Sequence, residues 1–481
     1  MSKIDEILKE TPDTKACRLG PGVTEQVAEL FRELFPDAKR ALVVDDVNTK
    51  RVAGDRVVSL LKSAGIDVAE YTVNPDGSWF HATYDKVEEV REAIRSFNRT
   101  VEQSNNRTIP VAVGSGTVND LVKRASEETG VRYLVVGTAA SMDGYTSYGA
   151  SITKDGMKQT LPCRAPLGAL VDSQISAEAP KAMTASGYAD LLAKVPAGAD
   201  WLLADAIAAA LPEMERHGCE RIHSLAWRCV QGPLRASLAN PAGVATGDEG
   251  EIRKLSEGLI MSAFAMQASG TSRPASGTEH QVSHYWDMED LCFDGKPVSH
   301  GFKVGIGTLV STATIEFLLE QDLTALDVEA AVAKWPKTFD ELAATFPSVY
   351  GNRPDHIRRA TDEMAKKYST PDELRRELTF VKSAWPEISK KMREQILPFA
   401  EVRSMLKAAG APYEPEMIGV SRAKLRETYR GVPYMRARYF SLDLVARLGL
   451  MDALQERLFG PAGIWMIKNR QMSAKDFAII Q

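Results

Sequence analysis

Histidine is scarce in this chain: its 481 residues include seven, at positions 81, 217, 223, 280, 284, 300 and 356. Three of them fall in two neighbouring stretches, Thr278-Glu-His-Gln-Val-Ser-His-Tyr-Trp286 and Val298-Ser-His-Gly-Phe-Lys303. His280 and His284 stand four apart, so on a helix they share a face. Two neutral imidazoles and a carboxylate suit a divalent cation such as zinc, nickel or iron. With coordination positions left open, such a cation polarises a hydroxyl or carbonyl oxygen as a Lewis acid. The plain alternative is a pair of core or solvent-facing histidines. Spacing leaves open which two histidines ligate and which carboxylate joins them.

A second candidate is the glycine turn Gly114-Ser115-Gly116-Thr117, between the apolar run Thr108–Val113 and a helical stretch from Val118 to about Glu128. Unpaired N–H groups at a helix start, with the positive end of the helix dipole, bind a pyrophosphate. Asn119 stands where the third glycine of a full G-x-G-x-x-G would be, so the turn alone is equally a structural one. Asp45 and Asp46 end the run Ala41–Val44. A carboxylate there accepts hydrogen bonds from adenosine ribose hydroxyls and favours NAD over NADP, or else it caps the following helix.

The elements that must position these residues read as two kinds. Residues 1–36 predict helix, loop and helix. From there strands at Ala41–Val44, Asp67–Val73, Thr108–Val113 and Tyr133–Gly137 alternate with helices at Thr49–Ala64, Tyr84–Phe97 and Val118–Glu128, the pattern of a doubly wound parallel sheet. Residues 138–172 predict turns and a hairpin beside the sheet. From about Ala177 the chain reads as helical, with loops at Pro196-Ala197-Gly198, near Gly232-Pro233 and across Ser269–Thr278. The division expected is an α/β Rossmann-like dinucleotide domain over 1–175 and an all-helical metal- and substrate-binding domain over 176–481. The charged helical stretch from about 345 onward predicts a solvated outer face or a contact between copies of the chain.

Composition narrows the classes. Apolar residues make up 44% and charged residues 26%, with a formal net charge of −5. This is an ordinary globular balance, with no basic tract for nucleic acid. No uninterrupted apolar run of about 18 residues suggests a membrane span, and the charged start MSKIDEILKETPD lacks the apolar core of a secretory signal. The five cysteines are scattered, without a Cys-x-x-Cys pair, which fits reduced thiols and a cytoplasmic location.

Five motifs in order carry a resemblance. They are Val113-Gly-Ser-Gly-Thr-Val-Asn-Asp-Leu121, Gly137-Thr-Ala-Ala-Ser-Met-Asp-Gly-Tyr145, Ser186-Gly-Tyr-Ala-Asp190, Gly277-Thr-Glu-His-Gln-Val-Ser-His284, and His300-Gly301 with Val304-Gly305. Over about residues 15–460 the chain resembles the sn-glycerol-1-phosphate dehydrogenases, particularly their bacterial AraM-like branch. These are kin to iron-containing alcohol dehydrogenases, glycerol dehydrogenase and dehydroquinate synthase. The late stretch AGAPYEPEMIGVSRAKLRETY is also similar.

The resemblance implies a dehydroquinate-synthase-like fold and a metal held by Asp190, His280 and His300. It implies His284 and Asp143 beside the substrate, and Gly114, Ser115 and Gly116 on the pyrophosphate, with Thr117 closing that turn. It further implies Asp120 near the nicotinamide, Thr138 and Ser141 on the cofactor, and Asp46 rather than Asp45 on the adenosine side. The cofactor implied is NAD or NADP with one divalent metal (zinc, nickel or iron). The reaction implied is reversible reduction of dihydroxyacetone phosphate to sn-glycerol 1-phosphate, by a homo-oligomer whose partner is a small polyol phosphate or polyol, with no nucleic acid and no membrane. The family often has a glutamate after the His-Gly pair, where this chain has Phe302, and the C-terminal region is longer than in compact members. Other readings are a polyol dehydrogenase on the same scaffold and a dehydroquinate-synthase-like cyclase. A non-catalytic binding protein is opposed by the retained polar cluster.

Overall fold

The computed structural model describes residues 3–99, 107–155 and 157–467. Packing divides the chain into two compact units: Met1–Leu191 with Leu225–Ser272, and Leu192–Ser224 with Arg273–Gln481.

The first unit is built on short runs of β-branched and aliphatic residues. Strands β1 (Ala16–Gly20), β2 (Arg40–Asp46), β3 (Asp67–Val73), β4 (Thr108–Gly114), β5 (Leu134–Gly137) and β8 (Gly168–Asp172) form one sheet in the order β1-β8-β5-β4-β2-β3. All its pairings are parallel. The central strands are buried on both faces, which is why they read as continuous apolar runs rather than alternating ones. Ala41, Val43, Val111, Val113, Leu134 and Val136 pack on the helices Val27–Leu34 and Asp55–Ser63. The opposite face, with Leu42, Val44 and Ala112, packs on the helices Tyr84–Arg99 and Gly116–Thr129. Strands β6 (Ala150–Lys154) and β7 (Met157–Leu161) form a separate antiparallel hairpin.

Chain order turns about between β2 and β4: from β2 the chain steps outward to β3, then returns to β4 on the other side of β2. Parallel sheets bind ligands at the carboxyl ends of their strands beside such a reversal. Asp45-Asp46 and Gly114 are the ends that meet there.

The helices that matter below are α1 (Gly116–Thr129), α2 (Lys181–Leu192), α3 (Lys194–Ala210), α4 (Ser224–Ser237), α5 (Glu249–Ser269), α6 (Thr278–Asp287) and α7 (His300–Glu320). In the first unit, α5 packs on the helix Ser173–Glu178 and on β1. In the second, α6 and α7 pack closely on each other. Helix α7 is long and apolar enough in composition to cross a membrane, yet 94% of its apolar window is buried in the protein. Its Thr308, Thr312 and Thr314 hydroxyls donate to the carbonyls one turn back, each at 2.8 Å. Their polarity is thereby satisfied within the helix.

Several expectations are corrected. Residues 1–36 are not helix, loop and helix alone, because Ala16–Gly20 is an edge strand paired to β8. Pro196-Ala197-Gly198 is no loop but the start of α3. Pro196 stands in the first turn, where the backbone N–H that proline lacks would have had no helical acceptor. Gly232-Pro233 likewise lies inside α4. Ser269–Thr278 does interrupt the helices. The change from strand to helix comes at Asp172–Ser173, whereas compactness assigns α2 and α5 to the unit that holds the sheet. The late charged stretch is not wholly solvated. Lys367, Glu377, Asp443 and Arg447 are buried and pair as Lys367–Asp443 and Glu377–Arg447.

Candidate active site

In the first unit, β4 and β5 end in register at Gly114 and Gly137. Ser115 precedes α1 in an extended conformation, and its hydroxyl makes no cap. The turn Gly114–Thr117 therefore opens the first N–H groups of α1 at the reversal point, as a pyrophosphate site requires. Thr138 is buried and its N–H donates to the Gly114 carbonyl (3.2 Å), so the stretch after β5 is tied to the turn. Ser141 is half-buried further along.

The two aspartates at the end of β2 part company. Asp46 caps the next helix, its Oδ1 accepting from the N–H groups of Asn48 (2.8 Å) and Thr49 (2.9 Å). Asp45 is 1% exposed and accepts the Thr72 hydroxyl at 2.8 Å. Its Oδ2 has no hydrogen-bond partner among the described residues. Loss of hydration pushes its pKa up to about 6, against the opposing pull of Thr72 and Lys50.

Asp120, in the second turn of α1, points to the hairpin. Its carboxylate accepts the Ser151 N–H (3.2 Å) and lies 3.6 Å from the Lys123 ammonium. Burial pushes the carboxyl pKa up and the ammonium pKa down, and their mutual attraction offsets part of each shift. Lys123 is fully buried and donates to the carbonyls of Gly144 (2.8 Å), Gly149 (3.0 Å) and Ser147 (3.3 Å). It holds together the loop that carries Asp143. Spacing gives no sign of this, because a lysine on a helix reads as a solvated residue.

Asp143 and Asp190 are brought together in the same unit. The Asp143 N–H donates to the Asp190 carboxylate (3.2 Å), and the Asp143 carboxylate accepts the Ser262 hydroxyl from α5 (2.8 Å). Asp190 is fully buried in the last turn of α2. What lets α2 lie so close to the loop is Gly187, where a Cβ would run into the Ala140 carbonyl oxygen.

In the second unit, the His280 and His300 rings come together with centroids 5.4 Å apart. His280 is buried on α6 and His300 opens α7. The helices approach through Gly307, where a Cβ would strike the backbone of Glu279. The His280 Nδ1 is 2.8 Å from the carboxylate of Glu279, which also accepts the Gly277 N–H at 2.6 Å. Glu279 is fully buried, and such a carboxylate fixes ring orientation and tautomer in metal sites. Asp200 on α3 ties down the start of α6 by accepting the Thr278 N–H and hydroxyl, at 2.8 and 2.9 Å.

His284 lies one turn beyond His280, with its Nδ1 3.5 Å from Asp287. Asp287 is itself paired with the buried Lys303 ammonium. Desolvation pushes the His284 pKa down to about 4, against the pull of Asp287, so the ring is neutral at physiological pH. Phe302, at the position of the family's frequent glutamate, is buried. Glu279, Asp287 and Lys303 escape sequence reasoning, although each stands beside a candidate residue in the chain. Charged neighbours of that kind read as surface.

A parallel sheet with a glycine turn at its reversal point, followed by a helical unit, is a fold shared with solved glycerol dehydrogenase structures. The family model described as iron-containing alcohol dehydrogenase matches residues 18–180. A glycerol dehydrogenase structure from Schizosaccharomyces pombe aligns over 93% of this chain and 91% of its own, with a TM-score of 0.55 at 14% identity. The glycerol-1-phosphate dehydrogenase (NAD(P)+) of Halalkalibacterium halodurans is 32% identical over 271 residues, 56% of this chain and 63% of that protein. The chain thus spans somewhat less than two thirds of that relative. The enzyme of the same description from Methanothermobacter thermautotrophicus is 31% identical over 291 residues, 60% of this chain and 75% of its own. The chain belongs to the glycerol-1-phosphate dehydrogenase family.

Proposed function

We propose that this protein is a metal-dependent NAD(P) dehydrogenase that reversibly reduces dihydroxyacetone phosphate to sn-glycerol 1-phosphate. In this reading Asp190, His280 and His300 hold one divalent cation (zinc, nickel or iron). The observation that carries it is the imidazole pair of α6 and α7, 5.4 Å apart, with His280 anchored through Nδ1 on the buried Glu279. That arrangement directs ligation to Nε2. The donor set, one carboxylate and two neutral imidazoles, fits a borderline divalent cation. When bound, the cation supplies Lewis acidity and the nicotinamide supplies hydride.

The remaining work falls to the chain itself. The turn Gly114–Thr117 binds the pyrophosphate through backbone N–H groups, with Thr138 and Ser141 on the same cofactor and Asp120 on the nicotinamide side. Asp46 accepts from the adenosine ribose with the carboxylate oxygen that the cap does not use. Asp143, steadied by Ser262, orients substrate hydroxyls. His284, neutral and joined to Asp287, moves a proton to or from the substrate oxygen. The α/β portion carries the dinucleotide and the helical remainder the substrate, in a cytoplasmic homo-oligomer.

The test is metal analysis of the purified chain together with oxidation of NADH or NADPH on dihydroxyacetone phosphate. The expected result is one equivalent of divalent metal and formation of the sn-1 product, with both metal and turnover lost in His280→Ala. A metal-free His280→Ala variant that stays fully active would overturn the reading. Turnover on glycerol or pentitols but not on the phosphate ester would replace it with a polyol dehydrogenase.

A further inference from the structure

Between His300 and Glu316, Lys303 is the only charged side chain of α7. The rest of that stretch is glycine, apolar or hydroxylated, and buried. The Lys303 ammonium pairs with the Asp287 carboxylate at the end of α6, and both side chains are 8% exposed. A buried ion pair gives little net stability beside an apolar pair of the same size, so the packing of α6 on α7 does not by itself call for one. The third member of the group is His284.

The ends of both helices are fixed. Ser299 caps α7: its hydroxyl accepts the Phe302 N–H (3.3 Å), and its carbonyl accepts the Lys303 N–H (3.2 Å). Beside Asp287, the Trp286 indole donates to the Thr428 hydroxyl (3.0 Å), and the Asp290 N–H closes a turn on the Asp287 carbonyl (3.2 Å). Asp287 thus meets His284, about one turn back, in a settled direction. One carboxylate oxygen takes the ammonium, and the other lies 3.5 Å from the ring Nδ1.

The ring is neutral, so it carries one proton and has two places for it. The ammonium holds Asp287 as an anion, and an anion facing Nδ1 draws the proton to that nitrogen. Nε2, across the ring, is then the acceptor, on a side chain that is 39% exposed. Arg436 and His280 oppose a second proton on the ring, and Asp287 alone of these three groups favours it.

The geometry points to Asp287 as a positioning residue that fixes the His284 tautomer, with Lys303 fixing Asp287 in turn; the inference rests on the dehydrogenase reading above, in which His284 meets the substrate. In alcohol oxidation the substrate O–H bond breaks, and its proton goes to the Nε2 lone pair as the hydride goes to the nicotinamide. Asp287 then faces an imidazolium and stabilises its charge, in the manner of the aspartate of a catalytic triad. In reduction the same proton returns from Nε2 to the substrate oxygen.

The experiment is ¹⁵N NMR of the zinc-loaded full chain with labelled histidine, the His284 signals being identified by their loss in His284→Gln. Wild type should show Nδ1 protonated and Nε2 bare. In Asp287→Asn the Lys303 ammonium, which can only donate, takes the amide oxygen, so the amide NH2 faces Nδ1 and the proton moves to Nε2. Asp287→Leu combined with Lys303→Met removes both charges together and should leave a mixture of the two tautomers. In turnover, both variants should lose roughly 100-fold or more in kcat, the scale of one positioned proton transfer, with KM for dihydroxyacetone phosphate and metal content close to wild type. A wild type protonated at Nε2, an Asn variant with the wild-type tautomer, or a kcat that holds in both variants overturns the inference. The tautomer is read without turnover, so an inactive wild type that shows the expected tautomer changes refutes the dehydrogenase reading alone. If Asp287→Asn proves poorly folded by thermal melting, the double variant decides by the same measurements.

Discussion

At the scale of single residues, Glu279 and Asp45 make the clearest predictions. Glu279 orients His280 from a fully buried position. In the proposed site its replacement by Gln should weaken metal binding by roughly 10- to 100-fold while leaving the ligands in place. Metal retention after dialysis against a graded chelator series checks this, and unchanged retention would refute it. Asp45 is a buried carboxylate with a raised pKa near 6. Its folded pKa lies above the usual carboxylate value, so between about pH 4 and 6 the folded state holds the proton more tightly. Stability should therefore fall as pH rises through that window, by up to about 3 kcal/mol from this group. Asp45→Asn keeps an acceptor for Thr72 and should flatten that fall and raise the melting temperature at neutral pH. A variant melting no higher than wild type at pH 7 would refute it. Histidine is rare here, so His280, His284 and His300 stand out as candidates, whereas the choice of two among them and of Asp190 rests on the resemblance. Glu279, Lys123 and Lys303 were not legible, since burial of a charge leaves no periodic trace in a sequence.

At the scale of elements, the close approach of α2 to the loop after β5 hangs on Gly187. Gly187→Ala should push the helix away from Ala140, costing about 1–3 kcal/mol as overpacking does, and should loosen the Asp143–Asp190 hydrogen bond. Melting temperature and metal content together test this, and a variant equal to wild type in both would show that the loop can yield. Strands β2, β4 and β5 were legible almost to the residue, since doubly buried parallel strands are unbroken apolar runs. Strand β1 was not, because Ala-Cys-Arg-Leu-Gly is short, mixed and on an edge. The prolines at 196 and 233 read as breaks, although a first-turn proline costs a helix nothing and α4 continues through the second.

At the scale of the whole molecule, the cation and dinucleotide of the proposed function would each stabilise the folded chain by mass action. Removal of the metal with a chelator should lower the melting temperature and abolish turnover, and adding back zinc, nickel or iron should restore both. A melting temperature indifferent to the chelator would argue against a cation in the folded protein. The division into a sheet-bearing and a helical part was legible from the switch in periodicity. The return of α5 to the unit that holds the sheet was not, because that depends on which faces pack and not on what each stretch forms.

The edge strand β1 also bears on the order of assembly during synthesis. Its partner β8 begins at Gly168, and Thr14 just before it is hydrogen-bonded to Gln267 on α5 (3.0 Å). First in chain order among the strands of this sheet, β1 thus has no place to dock until some 150 further residues have been made, and its second anchor arrives later still. Strands β2 to β5 can pair among themselves in the meantime. Nascent chains halted before β8 should therefore leave Ala16–Gly20 open to proteases while the middle of the sheet is already protected.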